Sequence, residues 1–301
     1  MKLIKFVIIF FLLIPVSKSY SASHNKTKSP QRERNISLRL VYKFSIKGRV
    51  DSIFLSMAIP QTIDKRQTVT DISFSQEPTR IYTAGKNKFA LFRLYDVDES
   101  FKITVKAKVT IFQSIDSAAN KNSDTSLSRY LIPEPFIESN SSEIIEVAQN
   151  LKQKTDIETV MKTYFYVKDH IRYKLKEAIG AKEVLESGVG KCMDFSDLFV
   201  ALLRANKIPA KSVNGMTVEY GNTPFHAWPE AYLKKQGWVQ FDPTGNQSNI
   251  RQEGNNYKMN IKNKYVIFSE GRNSIGIYNY YWWADDNDKF KCKVSYDIME
   301  E

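Results

Sequence analysis

The chain has 301 residues, a formal charge of +11 and only two cysteines and three histidines. Its basic residues are scattered along the sequence, without a dense run or interleaved aromatics, which argues against specific nucleic-acid binding. Two cysteines make no disulfide framework, and so few thiols and imidazoles leave few Cys–His pairs that could do chemistry.

Lys2 and Lys5 form a positive amino-terminal region, and Phe6 through Val16 form a short apolar run. Crossing a hydrocarbon core takes about 20 residues, so this run has the length and flanks of a secretory signal peptide. Ser17-Lys18-Ser19 and Ser19-Tyr20-Ser21 offer the small residues that a signal peptidase reads, so a leader of residues 1–21 is expected. An uncleaved signal anchor is the alternative. No cysteine lies near the cleavage region to carry a lipid anchor, and no later segment is apolar and long enough to span a bilayer. A secreted or periplasmic protein with no stable membrane insertion after leader removal is expected. Removing the three leader lysines from the formal +11 leaves +8, read as solvated surface with a mild preference for anionic surroundings.

From 35 to 113 the pattern is that of strands. Ser37–Tyr42, Ser52–Met57 and Phe101–Lys106 alternate with a period of two, and Phe89–Leu94 adds another short strand. Turn formers at Lys47-Gly48 and Gly85-Lys86-Asn87 separate these runs, and the spacing predicts an antiparallel β-sandwich. This region holds neither cysteine nor histidine, so its expected role is structural or substrate-presenting. Residues 114–128, rich in Ser, Asn, Asp and Lys, read as a linker, with a second domain expected over 129–301.

Past Leu131-Ile132-Pro133 the period becomes helical. Asn140 with Glu143 predicts a capping box ahead of the Ile144, Ile145, Ala148 and Leu151 stripe. A second helix is predicted from Asp156 to Ile171, with Ile157, Val160, Met161, Tyr164, Phe165 and Val167 on its apolar side. His170 at its end is read as a partly exposed residue favoured by the helix dipole.

Gly188 and Gly190 then make a turn, after which Phe195, Leu198, Phe199, Leu202 and Leu203 recur at helical spacing. Cys192 therefore stands at the start of a buried helix, where unpaired amides and the positive dipole end favour a thiolate. A small buried core cysteine that happens to begin a helix fits this segment equally well. Downstream, His226 opens an alternating strand, Lys234 to Gly237 read as a hairpin turn, and a second strand ends at Asp242. Two antiparallel neighbours could thus set His226 beside Asp242. A thiolate nucleophile needs an imidazole, and the imidazole needs a carboxylate or amide to orient it.

Gly190-Lys191-Cys192, Leu203-Arg204-Ala205 with Ile208-Pro209-Ala210, His226-Ala227-Trp228 and Asp242-Pro243-Thr244 together resemble the transglutaminase-like superfamily, in its exported bacterial branch. The likeness covers about half the chain. It implies an α+β fold: a papain-like core of helices packed on an antiparallel sheet, here preceded by the β-sandwich. It also implies Cys192 as nucleophile, His226 as general base and acid, and Asp242 as orienting carboxylate. The chain departs from the family at Lys207, where Gly-Ile-Pro is usual. The implied activity is acyl transfer from a carboxamide or peptide through a thioester, with hydrolysis (protease or amidase) favoured over cross-linking. The substrate is expected to be a protein or peptide, with no cofactor or metal. Asp285-Asp286-Asn287-Asp288 reads as a solvated turn.

Two other classes of function remain open: a non-catalytic peptide- or polymer-binding scaffold on the same fold, and an assembly factor that docks through the sandwich. Trp228 and Trp238 are expected to pack the two downstream strands together. Tyr280–Trp283, Lys264–Phe268 and Lys291–Tyr296 are expected as strands of the second domain, with Cys292 as a small apolar side chain.

Overall fold

A computed structural model describes residues 33–112, 127–218, 225–244, 250–253, 256–259, 264–272, 280–284 and 290–300. The expected leader, His24, most of the expected linker and the acidic stretch at 285–288 lie outside these residues. Six strands come first: β1 (Glu33–Ile46), β2 (Val50–Ala58), β3 (Gln67–Phe74), β4 (Arg80–Ala84), β5 (Asn87–Val97) and β6 (Phe101–Phe112). Helices α1 (Ser142–Leu151) and α2 (Asp156–His170) follow, then β7 (Arg172–Tyr173), α3 (Ala181–Ser187), β8 (Val189–Gly190) and α4 (Cys192–Ala205). The remainder is strand: β9 (Ala210–Thr217), β10 (Phe225–Leu233), β11 (Gly237–Gln240), β12 (Ile250–Glu253), β13 (Asn256–Met259), β14 (Tyr265–Glu270), β15 (Tyr280–Ala284) and β16 (Phe290–Glu300).

The alternation that predicts the sandwich holds along β1 from Ile36 to Phe44. Ile36, Leu38, Leu40, Tyr42 and Phe44 of β1 point inward with Ile53, Leu55, Phe89, Phe92, Ile103 and Val105. Two four-stranded sheets enclose them, in the orders β16-β1-β6-β3 and β15-β2-β5-β4. Here the structure corrects the sequence reading, which put Tyr280–Trp283 and Lys291–Tyr296 in the second domain. β15 pairs with β2 and β16 with β1, closing edges that those strands would otherwise leave open. Cys292 is a half-buried member of the sandwich core, and burial pushes its thiol up to about 12. The short, half-polar β3 and β4 escape the alternation rule, and the sequence reading misses both.

A third sheet, ordered β11-β10-β9-β14, carries the helices. Almost the whole of α4 is buried, from Met193 to Arg204, with α1, α2 and α3 packed around it. Arg204 ends that helix by donating Nε to the Ala210 carbonyl at 2.9 Å and Nη1 to the Ile132 carbonyl at 2.7 Å, with Glu134 at 2.9 Å. The Leu-Arg-Ala…Ile-Pro-Ala pattern is therefore a device that fixes the passage from α4 into β9. Three local details differ from expectation. Ser141, not Asn140, caps α1, accepting from the Ile144 amide, while Glu143 pairs with Lys182 at 2.9 Å. Thr155 and Glu158 form the capping box, on α2. Phe165 is 42% exposed, because it lies off the buried stripe of Val160, Met161, Tyr164 and Val167.

Two amide side chains join the sandwich to this sheet. Gln67 of β3 donates Nε2 to the Ile267 carbonyl and accepts the Ile267 amide, both at 2.8 Å. Asn87 of β5 does the same for Glu270, at 2.9 and 2.8 Å. Each acts as a one-residue strand on the outer edge of β14, and both are buried. Arg66 adds a two-pronged ion pair to the fully buried Glu230 of β10, at 2.7 and 2.5 Å. Residues 32–301 form one compact unit.

Candidate active site

Cys192 is the first residue of α4, two residues after Gly190 of β8, where the close packing admits only glycine. A Cβ on Gly190 would lie 2.6 Å from the Asp194 Cβ and 2.9 Å from Val184. Asp194, fully buried, spends both carboxylate oxygens here. Oδ2 accepts the Lys191 amide at 2.9 Å, and Oδ1 accepts the Ile179 and Gly180 amides at 2.7 and 3.2 Å. The amide of Cys192 is one of the first-turn donors that an α-helix leaves without an internal acceptor. Met193, Ala227 and Ala178 make an apolar collar around the thiol.

His226 stands near the start of β10, in register with Gly215 of β9. A Cβ at Gly215 would collide with the Val266 carbonyl at 2.0 Å and the Trp228 ring at 2.9 Å. The bare backbone there lets β14, β9 and the Trp228 ring close up behind the histidine. The hairpin from β10 to β11 turns through residues 234–236 into Gly237, whose φ of 75° suits glycine. Its ladder ends at Gln240, two residues before the expected strand end, and the Phe241 amide bonds the Pro229 carbonyl at 2.9 Å. That step brings Asp242 round so that Oδ2 lies 3.1 Å from His226 Nε2.

The three expected residues therefore come together. The Cys192 thiol is in hydrogen-bond reach of the His226 ring, and Nε2 faces Asp242, which leaves Nδ1 for the sulfur. Burial acts to lower the His226 pKa, but the hydrogen bonds and charges of Asp242 and Cys192 outweigh it and raise the pKa to about 9. Burial likewise opposes ionisation of Asp242; His226, the Tyr265 hydroxyl and the Lys264 charge overcome it and hold the carboxyl at about 2. His170 lies apart, bonded by Nε2 to the Leu185 carbonyl at 2.7 Å and stacked on Tyr166.

Tyr265 and Tyr173 belong to the site, and the sequence reading does not single them out. Tyr265 donates its hydroxyl to Asp242 Oδ2 at 2.5 Å, and its ring lies 6.0 Å from His226 and 4.4 Å from Trp228, nearly parallel to both. The fully buried Trp228 thus shields the pair from water as well as packing the strands. Trp238 packs instead on Tyr130 and Tyr232, under the Lys211 ammonium. Tyr173 of β7 lies in register with Gly190 of β8; partial burial and then the Cys192 charge raise its pKa. A lone Tyr in a strand carries no motif, so only tertiary pairing reveals either one.

Comparison with known proteins finds similar sequences and a similar fold. Residues 145–243 match the family model described as Transglutaminase-like superfamily. YebA of Bacillus subtilis (strain 168), an uncharacterized protein, is 36% identical over 83 residues, which are 23% of this chain and 11% of that protein. A Cytophaga hutchinsonii protein, provisionally described as a cysteine protease, superposes with a TM-score of 0.70 at 15% identity. The superposition covers 90% of this chain and 92% of that one. The periplasmic domain of TgpA from Pseudomonas aeruginosa gives a TM-score of 0.41 at 18% identity, over 72% of this chain and 91% of that domain. Cys192, His226 and Asp242 all fall within the segment that matches the transglutaminase-like family model.

Proposed function

We propose that the chain is an exported cysteine acyl-transfer enzyme that hydrolyses carboxamide or peptide bonds, with Cys192 as nucleophile, His226 as general base and acid, and Asp242 as orienting carboxylate. The observation that supports this reading is the convergence of the three side chains at a helix N-terminus, with the imidazole held between thiol and buried carboxylate. The sulfur attacks the substrate carbonyl carbon, forming a C–S bond and an oxyanion. The Cys192 amide stabilises that oxyanion, and Tyr173, whose hydroxyl senses the Cys192 charge, supplies a second donor. Collapse breaks the C–N bond as His226 delivers its proton to the departing amine, leaving a thioester. Water, losing a proton to His226, then adds to the thioester carbonyl, releases the acid and restores the thiol.

Hydrolysis is preferred to cross-linking by analogy with the protease description of the Cytophaga hutchinsonii neighbour. Export rests on the leader-like amino terminus; among the described residues no helix is long and apolar enough to cross a membrane. The test is a panel of unfolded proteins and glutamine peptides, offered with and without a labelled primary amine. Hydrolysed product from wild type, none from Cys192→Ala, and no amine incorporation is the expected result. Amine incorporation in preference to hydrolysis would move the assignment to cross-linking, and no Cys192-dependent product would remove it.

A further inference from the structure

Lysines scattered over both ends of the sequence gather on the structure. Even-numbered residues of β1 and β16 point into the sandwich core, so odd-numbered residues of both strands face outward, as do the even-numbered residues of β6. Lys43 of β1 sits directly opposite Lys293 of β16 on one side and Lys102 of β6 on the other. Neighbouring strands are about 4.8 Å apart, so three ammonium groups leave the sheet within roughly 10 Å of one another. Lys291 lies beside this row and Lys106 beyond it, and all five lysines are exposed. Among the described residues none of the five forms an ion pair. Of the acids on this face, Asp71 of β3 stands in register with Lys108, and Asp297 is held by Arg39 at 2.9 Å.

Like charges directly opposite on adjacent strands repel, and ordinary surfaces intersperse the two signs. An arrangement of this kind is relieved by an external anion. We propose that the outer face of the β16-β1-β6-β3 sheet docks the protein on an anionic lipid bilayer. A planar partner fits because the basic residues leave one face of a single sheet. Between them Val41 and Thr104 are closed off, at 4% and 8% exposure, so no cleft is offered to a linear polymer. Among the described residues no aromatic side chain lies on this face between the lysines to stack sugars or bases. Long lysine stems bring their charges to a common plane, and each basic residue near an anionic membrane strengthens binding about fivefold.

The test uses residues 32–301, the compact unit, so that the apolar amino-terminal run cannot itself enter lipid. Sedimentation with vesicles of phosphatidylcholine alone, or mixed with phosphatidylglycerol, is measured at low and high salt. Binding to the mixed vesicles only, abolished by high salt, is expected. Lys43→Ser/Lys102→Ser/Lys293→Ser should lose roughly a hundredfold in affinity and melt no lower than wild type, since repulsion is removed. Lys43→Ser alone should lose about fivefold. Undiminished binding by the triple variant, binding to phosphatidylcholine alone, or tight binding to soluble polyphosphate without vesicle binding would each overturn the proposal.

Discussion

Tyr265 donates its hydroxyl to the same Asp242 oxygen that faces His226, at 2.5 Å, so one carboxylate oxygen receives both a phenol and an imidazole. The phenol fixes the carboxylate, and the carboxylate fixes the ring. Tyr265→Phe keeps the stacking on Trp228 and removes only that bond, so a well-folded protein with lowered turnover is expected. A loss of about tenfold in kcat, with little change in KM, corresponds to one charge-assisted hydrogen bond. Steady-state kinetics on whichever substrate the panel yields would check this.

The raised His226 pKa has a definite sign for stability. A folded-state value of about 9 against an ordinary 6.5 means that the folded state holds its proton more tightly than the unfolded chain. The stabilisation is complete below pH 6.5 and is lost as pH climbs through about 9. Urea unfolding across that window should show wild type weakening relative to Asp242→Asn, which lacks the buried negative charge. Parallel curves for the two proteins would mean that the imidazole is not held protonated. The same titration predicts an alkaline limb of activity near pH 9.

Lys207 occupies the position where the family carries glycine, and its φ is 64°. That left-handed backbone costs a side-chain-bearing residue about 1 kcal/mol or more. Lys207→Gly should therefore stabilise the chain by about 1 kcal/mol without altering activity. A rise in melting temperature would confirm the strain, and a fall would show that the lysine stem supplies compensating contacts.

The joint between sandwich and core is polar and buried. Gln67→Ala strips partners from both backbone groups of Ile267 and should cost about 1–3 kcal/mol. Arg66→Ala is expected to cost more, about 3–5 kcal/mol, because among the described residues Glu230 then keeps only Lys211, at 3.6 Å, as counter-charge. Denaturant titration of both variants ranks the two effects, and a single cooperative transition is expected because the two halves share this joint.

The residues at the site are legible in the sequence because each needs a local signal: a glycine turn before a helix, a strand start, a hairpin. Their partners are less so. Gly190 announces a close approach, but that Asp194 would spend both oxygens there depends on Ile179 and Gly180, 15 and 14 residues away. Tyr265, Gln67 and Asn87 act across 23, 200 and 183 positions, beyond any periodic pattern. The two last strands mislead for the same reason. Alternation says that 290–300 is a strand, yet only the open edge of β1 decides which sheet receives it. The lysine row is hidden too, since alternation spaces its members apart in sequence and pairing brings them together.

The most direct test of the central claim is the rate of Cys192 alkylation by iodoacetamide, followed by intact mass between about pH 5 and 9, in wild type and His226→Ala. Cys292, held up to about 12 by burial, stays silent in that window, so the signal belongs to Cys192. Single, rapid modification near neutral pH that slows at least tenfold without the imidazole is the predicted result. Equal rates in the two folded proteins, both rising with pH like an ordinary thiol, would contradict the account.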